Sequence, residues 1–337
     1  DALGVSTNSQ ILVFSKTSLQ VSKIQPEHPR AVYFNDTVYV GYIPGSEVLE
    51  LASIDSNLGT VFYTLESAPR PQLERDRGDC LVCHANSRTE YVPRLLVRSV
   101  YADAAGKPRI GSTTYATDYR SPFAKRWGGW YVTGGVALLP HLGNGLATNR
   151  LNSEMLFPMA AAVDELPALV QRELYPLARS EALSLMLLET QVRIHNLMTR
   201  ATFEVRAANV QAASSNWTVS AENLVEGLFY CGEAAFPGAI RPPRDLVAAF
   251  QKGARKTRDG RSLKDLDLKN RLFRYRLSYL VDTEIFRALP TALLDYLRGR
   301  FRDILIKGDL RGPFGELSDA DRAELVSLLR ETHPEMF

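Results

Sequence analysis

The chain has 337 residues, of which 45% are hydrophobic and 23% are charged, and its formal net charge is +2. This composition is ordinary for a globular protein, and the length suits one large domain or two smaller ones. The balanced charge excludes the strongly basic surface of a nucleic-acid binder, and no apolar run approaches the ~20 residues that cross a bilayer. We therefore expect neither a nucleic-acid partner nor a membrane span.

The first 75 residues predict β-structure. "ILVFSKTSLQ", "RAVYFND" and "TVYVGYIPG" are rich in β-branched and aromatic residues and are separated by turn residues. "VLELASID" and "TVFYTLE" flank "SNLG", which predicts a hairpin with Gly59 at its turn. Further along, "RLLVRSVYADAAGKPRIGSTTYATD" predicts two strands joined at "AAGKP". Residues 123–149 are rich in glycine and aromatic residues, which predicts irregular chain.

From about Ser153 the pattern becomes helical. One helix is predicted at "SEMLFPMAAAVDELPALVQREL". The segment "SEALSLMLLETQVRIHNLMTRATFEVRAANVQAA" predicts a longer one of about thirty residues, with Ser180 as its N-cap. Later helices are predicted at "AENLVEGLFYC", "PRDLVAAFQKG", "TALLDYLRGRFRDIL" and "SDADRAELVSLLRETH", the last capped by Ser318 and Asp319.

The sequence thus predicts an α+β fold with a β-rich part over residues 1–150 and a mostly helical part over residues 151–337. A cytochrome-c-like site would lie between them. The helical part is expected to pack on the β-rich part, as a second domain or as one continuous domain, because no Pro-, Gly- or Ser-rich linker separates them.

The segment "GDCLVCHANS", residues 78–87, carries the clearest chemical motif. Cys80 and Cys83 are followed directly by His84. The spacing C-x-x-C-H is the signature of covalent c-type haem, in which two thiols bond the vinyl groups and the histidine ligates iron. A disulfide or redox pair and a zinc site are the alternatives, although no thioredoxin-like pattern surrounds the motif and no second pair of zinc ligands follows. We predict one covalently attached haem c.

A second iron ligand would decide between electron transfer and catalysis, because a strong sixth ligand leaves no place for a small molecule. His141 is the first candidate, since it follows a Gly-rich segment in which Trp127 and Trp130 are predicted to lie against the porphyrin. His195, on the long helix, is the alternative. Both histidines are also candidates for a catalytic acid or base. An open sixth position is a further alternative, and so are the ligands Met155, Met159, Met198 and Cys231.

Arginines near the motif are candidates for binding the haem propionates, because a guanidinium matches a carboxylate in bidentate geometry. Arg94 and Arg98 are predicted to share one side of a strand. Arg120 and Arg126 flank "SPFAK" before the tryptophans.

Across nearly its whole length the chain resembles a largely uncharacterised group of bacterial secreted or periplasmic monohaem c-type cytochrome proteins. The segments that carry the resemblance include "PRAVYFNDTVYVGYIPG", "GDCLVCHANS", "SPFAKRWGGWYVTG", "HLGN", "LLETQVRIHNLMTRA" and "LSYLVDTEIFRALP". The resemblance implies haem and location rather than a reaction, and it matches the family's histidines to His141 and His195. A methionine often follows the first of these in the family; Leu142 stands there in this chain, which excludes a thioether ligand from that position.

Three functions are compatible with one haem c. The first is electron transfer with a redox partner protein. The second is a haem enzyme, peroxidase-like or another small-molecule oxidoreductase, which meets its oxidant at an open or displaceable sixth site. The third is a haem-based gas or redox sensor. Haem c is assembled outside the bacterial cytoplasm, and the chain opens with the polar "DALGVSTNSQ". We therefore expect a periplasmic or secreted protein whose signal peptide has been removed.

Overall fold

The computed structural model describes residues 2–66, 70–109, 114–134, 140–147, 155–156, 165–210, 217–236 and 238–337. It has strands in its N-terminal part and helices in its C-terminal half, which confirms the predicted α+β class. The strands are β1 (Ile11–Val13), β2 (Arg30–Phe34), β3 (Val38–Tyr42), β4 (Val48–Asp55), β5 (Gly59–Glu66), β6 (Gln72–Arg75), β7 (Arg98–Ser99), β8 (Tyr115–Ala116), β9 (Trp130–Tyr131), β10 (Leu146–Ala147) and β11 (Met155–Leu156). The helices are α1 (Asp79–His84), α2 (Ala182–Val210), α3 (Trp217–Leu228), α4 (Arg244–Gln251), α5 (Glu284–Arg287), α6 (Thr291–Arg302) and α7 (Asp319–Thr332).

Seven strands form one antiparallel sheet in the order β6-β5-β4-β3-β2-β1-β9. The predicted hairpin is confirmed: β4 and β5 pair from Val48 with Glu66 to Asp55 with Gly59. Gly59 has φ of +74°, a left-handed conformation that glycine adopts without strain. β7 with β8 and β10 with β11 form two further antiparallel pairs.

A row of four buried side chains crosses the middle of this sheet, and we call it the central row. Phe34 pairs with Tyr39, Tyr39 with Ala52, and Ala52 with Phe62. Directly opposite residues of an antiparallel sheet point to the same face. The central row therefore marks one face, spanning β2 to β5, with the small Ala52 between two aromatic rings.

The long helix α2 starts at the β9 edge of the sheet. Ser180, predicted as its N-cap, has another role: its hydroxyl donates to the carbonyl of Tyr131 and accepts from the amide of Leu12. The amide of Ala182 donates to the carbonyl of Thr133. The start of the helix is thus fastened to β1 and to the end of β9.

From there α2 crosses the face that carries the central row. Gln191 hydrogen-bonds the hydroxyl of Tyr39 in β3, and Thr199 lies against Gly59 at the start of β5. The predicted helix of about thirty residues is confirmed, with 29 residues. It connects the two ends of the sheet along one rigid element.

Two local predictions were wrong. The helix predicted from Ser153 is not found where the structure describes that segment: Met155–Leu156 is a strand, and residues 165–174 form turns that end in the 3₁₀ helix Arg172–Leu174. Pro167 lacks the amide that a helix interior needs. The two strands predicted around "AAGKP" are reduced to the two-residue β7 and β8 and a bridge between Ala102 and Pro108, so Arg94 lies outside any strand.

The helical part packs into the same core as the sheet. One cluster of buried residues includes Phe62 of β5, Ile194 of α2 and Leu325 of α7. The predicted cap Ser318 of α7 is confirmed, but its partner in the capping box is Asp321 and not the predicted Asp319. Within the described ranges, no helix has both the length and the apolar character required to span a membrane.

Candidate functional site

The Cys-Leu-Val-Cys-His segment forms the short helix α1, directly after edge strand β6. The carboxylate of Asp76 accepts hydrogen bonds from the amides of Gly78 and Cys80 and so fixes the start of the helix. Cys80 is half-buried and Cys83 is exposed, and both thiols are free. Cys80 and His84 are four residues apart and therefore lie on the same face of the helix.

His84 is held by a reciprocal pair of hydrogen bonds with Arg94. Its Nδ1 lies 2.8 Å from the carbonyl oxygen of Arg94, and the amide of Arg94 donates to the carbonyl of His84 at 2.9 Å. A carbonyl only accepts, so the proton is on Nδ1 and the lone pair of Nε2 is left for a metal. The ring also packs on Phe62, with centroids 4.7 Å apart. Burial lowers the pKa of His84, which favours the neutral imidazole that metals bind.

The segment that holds His84 is in turn held by α2. Asn196 accepts from the amide of Leu95 at 3.1 Å and donates to the carbonyl of Leu95 at 2.8 Å. Leu95 follows Arg94 directly, so the orientation of His84 depends on a helix that is more than one hundred residues away in sequence. This is the second layer of hydrogen bonds by which proteins orient a metal-binding histidine.

A charged pair lies on the sheet beneath α1. Arg30 and Glu50 are 2.7 Å apart, and Arg30 extends over Gly41, where an added Cβ would come within 2.5 Å of the guanidinium. Glu50 raises the pKa of both Cys80 and His84, and Arg30 lowers that of His84, although burial is the largest cause for each. Cys80 and His84 thus both face the strands that carry this pair.

The thiol environment disfavours the redox-pair interpretation of the motif. Burial, with the neighbouring Asp76 carboxylate, raises the pKa of Cys80 to about 12. Reactive cysteines of redox motifs instead have lowered pKa values, because the thiolate is the nucleophile. No disulfide joins Cys80 to Cys83. As for zinc, among the residues that the structure describes no three His, Cys, Asp or Glu side chains converge on one point.

A cavity of about 590 Å³ opens beside α1. It lies within the size range of ligand sites in proteins. Its walls come from β6, the turn that follows and the first part of α1. Four of the lining residues are charged and two are leucines: Leu73, Glu74, Arg75, Asp76, Arg77 and Leu81.

These features fit a haem c. Two free thiols lie within one turn of helix, a neutral imidazole presents Nε2, and Arg30 provides a cation beside them. The donor set is the one that covalent haem requires, two thiols and a proximal histidine.

His195 lies on α2, next to the Asn196 that holds the His84 segment. It is 1% exposed, and neither ring nitrogen has a hydrogen-bond partner. Its ring meets the edge of Tyr39, with centroids 6.4 Å apart. Burial lowers the pKa of His195 to about 3. The structure therefore presents a buried, neutral imidazole on the face of the sheet where His84 also lies.

His141 lies at the other end of the sheet. Its ring is 5.2 Å from that of Trp127, and the nearby Asn144 hydrogen-bonds both backbone groups of Val132, just after β9. β9 is five strand positions from β5, about 24 Å measured along the sheet. Burial lowers the pKa of His141 to about 4. The structure does not bring His141 and His84 together.

Three of the predicted haem-binding residues are used within the protein near β9. Arg126 is buried, pairs with Glu189 at 3.2 Å and donates to the carbonyls of Tyr119 and Ser121. Trp127 is fully buried, and the indole of Trp130 donates to the carbonyl of Arg98. Arg126 as a propionate ligand stays a prediction, although its guanidinium already makes these three contacts.

The other candidates are placed as follows. Arg94 pairs with Glu90 at 3.0 Å and Arg120 with Asp118 at 2.9 Å, while Arg98 lies in β7. Met198 and Cys231 are buried in the core. Met159 and the side chain of Met155 are outside the described residues.

Sequence reasoning missed Arg30 and Asn196. Both act on the site through contacts between distant segments, so no local pattern around the motif could have pointed to them.

Comparisons with models of protein families, with curated proteins and with solved structures found no match to the chain.

Proposed function

We propose that this chain is a monohaem c-type cytochrome that carries one haem at Cys80, Cys83 and His84 and transfers electrons. The observation that supports this most strongly is the hydrogen bond from Nδ1 of His84 to the carbonyl of Arg94. It fixes the tautomer and turns Nε2 into the free ligand atom, which is what a proximal histidine needs.

Each residue of the proposed site has a separate role. Cys80 and Cys83 would each hold the haem through a thioether to a vinyl group, an addition in which the thiol hydrogen goes to the other vinyl carbon and no atom is lost. His84 would supply a nitrogen ligand to the iron. Arg30 pairs with Glu50 but keeps its Nε without a hydrogen-bond partner among the described residues, and it would supply positive charge for a propionate. When bound, the haem supplies one-electron chemistry.

The exposure of α1 favours electron transfer. Cys83 is exposed and Val82 beside it is 72% exposed, so the attachment helix reaches the surface. An exposed apolar side chain at such an edge offers contact area to a redox partner protein. Since c-type haem is attached outside the bacterial cytoplasm, the proposal includes a periplasmic or secreted location.

Covalent attachment tests the proposal. Protein produced with a c-type haem assembly system is denatured and freed of unbound haem, and its absorption spectrum and mass are then measured. We expect one haem per chain in the native sequence and none in the double variant Cys80→Ala with Cys83→Ala. Cys231→Ala is the matched control, because it removes the third thiol, which lies outside α1, and it should keep its haem. A double variant that retains covalent haem, or a native chain that acquires none, would contradict the proposal.

A further inference from the structure

His195 and Gln191 are both buried on the sheet-facing side of α2, but only Gln191 has hydrogen-bond partners in the described part of the chain. One turn earlier, Gln191 donates to the hydroxyl of Tyr39 and the carbonyl of Asn35, and accepts from Tyr279. His195 is 1% exposed and has no partner on either nitrogen. Leaving a buried polar group unpaired destabilises the folded state, and folded proteins rarely do so. The partner of this imidazole is therefore to be sought outside the described residues of the chain.

His195 and His84 both contact aromatic side chains of the central row, so they lie on the same face of the sheet. His195 contacts Tyr39, and His84 contacts Phe62, the two aromatic rings that flank Ala52 in the central row. Tyr39 and Phe62 belong to strands separated only by β4, about 9.6 Å apart. The two histidines thus contact aromatic rings on either side of Ala52, the smallest side chain of the row.

A second set of contacts joins the segment that holds His84 to α2 at the residue next to His195. Asn196, the neighbour of His195, hydrogen-bonds both backbone groups of Leu95, and Leu95 adjoins the carbonyl that holds His84. The two segments are therefore joined by hydrogen bonds at the residues next to both imidazoles. His141 has no such connection and lies beside β9.

We propose that His195 is the second axial ligand of the haem iron, opposite His84. The inference rests on the proposed function and deepens it, since it requires the haem at Cys80 and Cys83. Two imidazole ligands leave no site for an exogenous molecule, which fits electron transfer rather than the enzyme or sensor alternatives. His195 then gains the partner that its buried ring otherwise lacks.

The test is the ferric absorption and electron paramagnetic resonance spectrum of the holoprotein and of two matched variants. We expect low-spin iron in the native chain, high-spin iron in His195→Ala, and an unchanged low-spin spectrum in His141→Ala. Imidazole added to His195→Ala should restore the low-spin spectrum, which a merely structural role would not produce. Low-spin iron in His195→Ala without added imidazole would overturn the inference, as would high-spin iron in the native chain.

A size-conserving variant covers the case in which His195→Ala does not fold. His195→Met keeps a side chain able to ligate, and because a Met/His pair raises the potential of a haem, its reduction potential should rise above that of the native chain. An unchanged potential in His195→Met would overturn the inference. The failure of the proposed function is distinguishable: in that case no haem is covalently bound, whereas here the haem remains bound and only its spectrum contradicts the assignment.

Discussion

The two ends of the sheet use buried polar residues in opposite ways. At the β9 end, Arg126, Glu189 and Ser180 bind one another or backbone groups. At the β5 end, Cys80 and Cys83 are free and the ring nitrogens of His195 have no partners, while the surrounding groups that hold His84 are paired. The two ends therefore differ in their charged and thiol groups: a buried ion pair stabilises the β9 end, whereas two thiols that form no disulfide lie at the end that carries the Cys-Leu-Val-Cys-His motif.

The largest effect is expected at the β9 end. Arg126→Met leaves the buried Glu189 carboxylate without its cation and should lower the free energy of unfolding by about 3–5 kcal/mol. Urea denaturation of the native chain and of Arg126→Met measures this difference in the free energy of unfolding. The double variant Arg126→Met with Glu189→Leu should recover part of the loss, because no unpaired charge remains. A single-variant cost below about 1 kcal/mol would mean that this end is not a structural anchor.

An intermediate effect concerns His195 and pH. Its pKa is about 3 in the folded chain and about 6.5 when unfolded. Between these values the unfolded state binds more protons, so stability falls as the pH drops below about 6.5. At pH 5 the loss from this group is about 2 kcal/mol. His195→Gln should remove that part of the pH dependence.

The measurement is made on the Cys80→Ala, Cys83→Ala background, which offers no thiol of the motif for haem attachment. The free energy of unfolding is compared near pH 7 and pH 5 with and without His195→Gln. Identical pH dependence in both proteins would show that His195 is partnered after all and that the two ends do not differ in this respect.

The smallest effect belongs to an arginine at the motif end. Arg94 pairs with Glu90, whose side chain is 59% exposed, so Arg94→Met should cost less than about 1 kcal/mol. Covalent haem should be retained, because the backbone carbonyl rather than the guanidinium holds His84. Denaturation and haem content together check this. A cost as large as that of Arg126→Met would remove the contrast between the two ends.

Local signals predicted the elements that local chemistry determines. The hairpin at Gly59, the 29 residues of α2 and the Ser318 cap were all readable, because turns, apolar periodicity and caps depend on neighbouring residues. The Cys-Leu-Val-Cys-His motif could also be recognised from neighbouring residues alone.

The sequence did not predict which distant segments of the chain contact each other. The glycines and tryptophans near His141 favoured it as the haem partner, yet their contacts lie at β9, whereas Asn196 places His195 beside the segment that holds His84. Ser180 was predicted as a helix cap from its position before α2. Its actual role, joining β1 to the end of β9, depends on a sheet order that no local pattern encodes.

The edge strand β6 has a consequence for self-association. All four of its side chains are exposed, and in the described part of the chain no strand pairs with its outer edge. Such an edge is a template onto which a strand of another molecule can add. Glu74 and Arg75 place opposite charges there and the strand is only four residues long, two devices by which natural sheets resist edge-to-edge aggregation. Charge thus opposes strand addition at the same edge of the sheet from which α1 continues.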